Sequence, residues 1–238
     1  MNELDRAALT PAPTAARPLL GLTVLVVEDS RFACEAMRLL CLRSGARIRR
    51  ADCLKSARRH LQVYRPAVVI VDMGLPDGSG AELIEELATA QPRVDVILGT
   101  SGEDANEELA PTAGADGFLA KPLNSLASFQ SKVLAMMPPE MHPPGLRQVV
   151  DDEITPDMMA FHDDIAHVAD LLSVNTDDQT LNYVAQFLKG VAMSVSDAPL
   201  SNAVDELAKA RASGEILTLH TAKLTDIVQE RLAERVAI

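Results

Sequence analysis

Four short runs of β-branched and aliphatic residues punctuate the first half of the chain: TVLVV at 23–27, AVVIV at 67–71, VDVILG at 94–99 and DGFLA at 116–120. Helical stretches separate them, with Ala33, Ala36, Met37, Leu39 and Leu40 on one helical face and Leu83, Ile84, Leu87 and Ala88 on another. A weaker run, ARIRR at 46–50, suits an edge strand. Five strands alternating with helices predict a doubly wound parallel sheet, with chemistry gathered at the carboxyl ends of its strands.

The 238 residues suffice for two modest domains. Residues 1–20, rich in Ala, Pro and Thr, read as a flexible leader, and 21–137 as the α/β domain. PPEMHPPG marks a Pro-rich linker over 138–150, where no helix continues. Beyond it no run resembles a strand. Apolar-periodic segments near 156–173, 179–195, 199–212 and 215–236 predict an all-α four-helix bundle over 151–238. Thr155-Pro156 and Pro199 are expected to open the first and third helices, and Ser213-Gly214 to close the third.

Charge narrows the function classes. Residues 150–238 hold 16 acidic and 6 basic side chains, a net charge of −10, which opposes binding to a line of phosphates. No stretch approaches the roughly 20 apolar residues of a membrane span, and the first twenty residues lack an apolar signal, so a cytoplasmic protein is expected. Cys34, Cys41 and Cys53, without paired spacing, are expected as buried reduced thiols. The arginines from Arg43 to Arg59 read as a solvated face.

At the predicted strand ends stand Glu28-Asp29, Asp72, Thr100-Ser101 and Lys121-Pro122. Three carboxylates converging in a partly desolvated cleft repel one another, and a divalent cation with oxygen ligands, magnesium above all, compensates them. The strings VLVVEDS (24–30), VDMGLPDGSG (71–80), TSG (100–102) and GADGFLAKP (114–122) resemble the receiver domain of two-component response regulators, which has a flavodoxin-like fold. The resemblance implies that Asp72 accepts a phosphoryl group. It further implies that Glu28, Asp29 and Asp72 hold Mg2+ with the backbone carbonyl of Gly74, that Thr100 binds the phosphoryl oxygens, and that Lys121 counters their charge. Phe118 takes the place of the switch aromatic, Ser101 competes with Thr100 for the hydroxyl role, and the Lys121-Pro122 bond is implied to be cis. Asp77 reads as a loop-shaping residue.

In the second half, AQFLKGVAMSVSDAPLSNAVDELAKARASGE (185–215) is similar to histidine phosphotransfer domains, in which a histidine precedes Leu-Lys-Gly by two positions. Lys189 and Gly190 are kept, but Gln186 stands where the histidine would be, and an amide nitrogen cannot carry phosphoryl transfer. The resemblance thus implies a phosphotransfer-like bundle without transfer chemistry, able to bind a receiver-like or kinase partner through shape. His162, His167 and His220 lack the motif's context, and Met158, Met159 and Met193 read as core filler. The expected protein is a non-enzymatic switch phosphorylated by a sensor histidine kinase or phosphotransfer protein, with a protein partner for its helical domain. Neither nucleic acid nor membrane is expected as a partner, and a homodimer is open to it. The alternative is a phosphotransfer intermediate using one of the other histidines.

Overall fold

The computed structural model describes residues 12–103, 105–145 and 152–234. Five strands, β1 (Thr23–Val27), β2 (Arg47–Ala51), β3 (Val68–Asp72), β4 (Val96–Ser101) and β5 (Gly117–Ala120), form one parallel sheet in the order β2-β1-β3-β4-β5. This is the flavodoxin-like doubly wound order, with its winding reversed between β1 and β3. Side chains of a strand alternate between faces: Val24, Val26 and Ile70 enter the core on one side, and Leu25, Val27, Val69 and Val71 the core on the other. Burial on both faces is why these strands read as unbroken apolar runs. The edge strand β2, largely exposed, keeps its arginines outside.

Helices cover both faces. α1 (Arg31–Ser44) and α5 (Leu126–Met136) bury Met37, Leu40, Phe129 and Val133 on the first. On the second, α2 (Leu54–Val63), α3 (Gly80–Thr89) and α4 (Asn106–Thr112) bury Leu54, Leu83, Ile84 and Ala110. Ser30, Ser79 and Ser125 cap α1, α3 and α5 by accepting from first-turn amides. Cys53 makes no such bond at the head of α2. Asp77 does it instead, accepting from Leu54 N at 2.8 Å and Lys55 N at 2.9 Å, which gives the loop-shaping residue its physical role.

Several expectations need correction. Met158 and Met159, read as core filler, are 48% and 60% exposed, at the open start of a C-terminal helix. Leu19, inside the stretch read as a flexible leader, is fully buried in the first core, and its N–H donates to the Ser44 carbonyl at 2.9 Å; the residue's apolar bulk outweighs its Pro- and Ala-rich context. Residues 1–11 lie outside the described residues. Cys34 and Cys41 are buried, and burial pushes each thiol up to about 12, but Cys53 is half-exposed at the head of α2.

The C-terminal region consists, among the described residues, of helices α6 (Met158–Val174), α7 (Asp178–Ser194), α8 (Ala198–Ser213) and α9 (Thr218–Glu234). Helical spacing puts Phe161, Ile165, Val168 and Leu172 of α6 with Leu181, Val184, Leu188 and Val191 of α7 into one apolar core, completed by Leu200, Leu207, Leu224 and Val228. The first helix starts behind Asp157 rather than at Pro156, because the Asp157 carboxylate accepts from Met159 N. Gly214, with φ 68°, closes α8 in the left-handed conformation that glycine adopts without strain. No helix among the described residues is long and apolar enough to cross a membrane.

Candidate acceptor site

The strand ends converge as the topology requires. Backbone bonds carry the ladder one residue past the strands: Glu28 N donates to Ala51 O at 2.9 Å, Met73 N to Thr100 O at 3.0 Å and Lys121 N to Ser101 O at 2.9 Å. These bonds fix Glu28, Asp72 and Lys121 around one point. A Cβ at Gly80 would lie 2.0 Å from the Asp72 carbonyl oxygen, so only glycine lets α3 start this close to β3.

Lys121 Nζ bridges two carboxylates, 2.8 Å from Asp72 Oδ2 and 2.8 Å from Glu28 Oε2. All three side chains are nearly inaccessible. Burial opposes the ammonium, but the Asp72 and Glu28 charges outweigh it and hold Lys121 firmly protonated. Glu28 is raised well above the usual carboxyl range by burial and then by Asp72, against the pull of Lys121. Burial and the Asp72 charge lift Asp29 to about 7. Asp72 Oδ1 accepts from Gly74 N at 3.3 Å.

Glu28, Asp29 and Asp72 offer oxygens within 4.8 Å of one another, the only such group of ligand side chains among the described residues. With all three ionised against one ammonium, two negative charges are left over, the charge of one divalent cation. Asp29 Oδ1 is buried and has no hydrogen-bond partner among the described residues. An all-oxygen donor set with surplus charge and an unsatisfied buried oxygen fits a hard cation such as magnesium.

Thr100 pairs with Asp72 across β3 and β4, and its buried hydroxyl donates to Leu119 O at 2.7 Å. The Ser101 hydroxyl accepts from Glu103 N at 3.1 Å and Asn106 Nδ2 at 2.9 Å. Phe118 is half-buried against the second core beside Gly99, whose Cβ would meet its ring at 3.3 Å. The Lys121-Pro122 peptide is cis.

The C-terminal residues singled out from sequence divide. Gln186 is half-buried, its side chain lying over Gly74. Gly190 is buried with Lys121 as the nearest neighbour of its Cβ direction. Lys189 turns the other way and is held within the helical region by Asp205 at 2.7 and 2.8 Å and Ser201 at 3.2 Å.

Three residues that sequence reasoning missed join the site. Tyr183 donates its hydroxyl to Asp29 Oδ2. Asp164, 2% exposed, accepts from Ser30 Oγ at 2.7 Å, Arg31 N at 2.8 Å and Phe32 N at 3.0 Å at the head of α1. Phe32 of α1 is buried in the apolar core of the C-terminal helices and meets Phe161 edge-on at 6.3 Å. Only Tyr183 had a sequence signal: with Gln186 and Gly190 it stands at i, i+3 and i+7 of one helix face. A cavity of about 520 Å³ beside this contact reaches Glu28 and Asp29 and is lined also by Arg31, Arg50, His167 and Tyr183.

Comparison with known proteins finds similarity over the first half of the chain. Residues 24–131 match the family described as the response regulator receiver domain. The KDP operon transcriptional regulatory protein KdpE of Escherichia coli K12 is 32% identical over 99 residues, covering 42% of this chain and 44% of that protein. The virulence transcriptional regulatory protein PhoP of Salmonella typhimurium is 28% identical over 115 residues, 48% of this chain and 51% of that protein. The chain thus spans about half the length of these curated relatives. Among solved structures, the receiver domain of a Pseudomonas aeruginosa PAO1 sensor histidine kinase, with magnesium in its active-site cleft, aligns at 22% identity and a TM-score of 0.44. That alignment covers 48% of this chain and 96% of that one.

Proposed function

We propose, on the premise that residues 24–131 are a response regulator receiver domain of two-component signalling, that this chain is a phosphorylation switch whose acceptor is Asp72 and whose output is its C-terminal helical region. The observation that carries the reading is the buried bridge from Lys121 to Asp72 and Glu28 beside Asp29. The donor is a sensor histidine kinase or a phosphotransfer protein.

An Asp72 carboxylate oxygen attacks the phosphorus of a phosphohistidine, the P–N bond breaks, and the imidazole leaves as an acyl phosphate forms on Asp72. Glu28, Asp29 and Asp72, with the Gly74 carbonyl, would hold magnesium. Bound there, the ion supplies charge neutralisation for the phosphoryl oxygens. Lys121 leaves its bond to Asp72 Oδ2 to meet the incoming phosphoryl group. Thr100, or Ser101 beside it, turns its hydroxyl from its present partner to the phosphoryl oxygens, and Phe118 follows as the switch aromatic. The protein undergoes its own phosphorylation and dephosphorylation and turns over no other substrate.

The helical region is read as a phosphotransfer-like four-helix bundle in which Gln186 replaces the reactive histidine, acting on protein partners. Its 16 acidic against 6 basic residues over 150–238 support an output other than DNA binding. A relay through another histidine has one observation in its favour, the position of His167 on the cavity wall shared with Asp29. Treatment with acetyl phosphate and magnesium tests both readings. An alkali-labile acyl phosphate lost in Asp72→Asn supports the switch, whereas an acid-labile, alkali-stable phosphate lost in His167→Ala supports the relay.

A further inference from the structure

We infer that the face of α7 carrying Tyr183, Gln186 and Gly190 is a receiver-docking surface, occupied here by the chain's own receiver, so that the C-terminal helices cover the acceptor site in cis. The inference deepens the reading above and rests on it only for naming the partner a receiver domain.

The contact is built like a specific interface. Its polar anchor is Asp164, which replaces solvent at the three donors heading α1 with one buried carboxylate, where the helix dipole favours a negative charge. Arg31 adds an ion pair to Asp163 at 2.8 Å at the rim. Its apolar anchor is Phe32 of α1, buried in the C-terminal core against Phe161. Its centre is glycine on glycine. A Cβ at Gly102 of the receiver would stand 3.1 Å from Gly190 Cα and 3.3 Å from Gly190 N, and a Cβ at Gly190 would meet Lys121 at 3.4 Å. The two backbones approach as closely as they do because neither carries a side chain.

The three α7 residues each address a different part of the acceptor site: Tyr183 reaches Asp29, Gln186 lies on Gly74 and Gly190 faces Lys121. A phosphohistidine on a donor helix would have to occupy the space that α7 fills. The cation's place stays open, because Tyr183 takes only Asp29 Oδ2 and leaves Oδ1 without a partner among the described residues. The cavity of about 520 Å³ gives small solutes a way to Asp29. Protein donors are excluded while the contact is closed. Once opened, α7 offers a face already shaped for a receiver.

Complementation between two full-length variants tests this. In Gly102→Gln the receiver is blocked and the α7 face intact; in Gly190→Gln the face is blocked and the receiver intact. The nearest atoms met at each position belong to the other side of the contact, so each half keeps its own packing. The chain has no tryptophan and two tyrosines, and in a Tyr64→Phe background Tyr183 alone emits. Release from the Asp29 carboxylate should raise its emission in each variant. Each variant should remain monomeric when alone, and a mixture at high micromolar concentration should form a 1:1 complex by sedimentation, with emission falling back toward the wild-type value. Wild-type emission in both variants would overturn the contact, and two opened, folded variants that fail to associate would overturn the docking surface. No phosphoryl group enters the experiment, so its result stands apart from whether Asp72 is the acceptor.

Discussion

Tyr183 and Asp29, 154 residues apart in the chain, share a hydrogen bond in which the phenol donates to carboxylate Oδ2, tying the C-terminal helices to the acidic end of β1. The bond favours the ionised carboxylate, but burial and the Asp72 charge outweigh it and leave Asp29 at about 7. A carboxyl whose folded-state pKa exceeds its unfolded value binds its proton more tightly when folded. Stability of the metal-free protein should therefore fall as pH rises from about 4 through about 7, the whole effect being on the order of a few kcal/mol. Asp29→Asn should reduce that slope, leaving the part that the raised Glu28 carboxyl contributes, and raise the neutral-pH melting temperature in EDTA, as thermal denaturation at a series of pH values would reveal. An unchanged slope would mean that Asp29 is not the strained group.

Asp164→Ala removes the acceptor for Ser30 Oγ, Arg31 N and Phe32 N. Ser30 still caps α1 through Ala33 N, so the receiver should stay folded, while the contact weakens by about 2–3 kcal/mol. Hydrogen exchange should accelerate at Arg31 and Phe32 with little change in the central strands. Equal acceleration throughout the sheet would assign Asp164 a role in global stability instead.

Lys121→Met leaves Glu28 and Asp72 without their ammonium. Losing one partner of a buried ionic cluster costs roughly 3–5 kcal/mol. The same loss makes the pocket more negative, so the gap between melting temperatures in magnesium and in EDTA should widen relative to wild type. A gap narrower than wild type would place the cation elsewhere.

An interaction is legible in the sequence when its determinants are local or repeat with the strand or helix period. Strands β1 and β3 were legible because both faces are buried, which writes an apolar run into the sequence. β4 extends two residues beyond its apolar run, through Thr100 and Ser101, because pairing with β5 rather than burial of aliphatic surface defines its end. Glu28, Asp29, Asp72 and Lys121 were legible because a parallel sheet brings every strand's carboxyl end to one edge. Leu19 was hidden by its neighbours' composition, and Asp164 and Phe32 by the absence of any local pattern: their partners lie more than a hundred residues away and exist only once both halves have folded.

Asp72 itself is where the account is most directly tested. After exposure to acetyl phosphate and magnesium, reduction with borohydride converts an aspartyl phosphate, and no free aspartate, to homoserine, which peptide mass spectrometry locates. Homoserine at position 72 alone is the predicted result; an unmodified Asp72 with homoserine at Asp29 or another aspartate would contradict it.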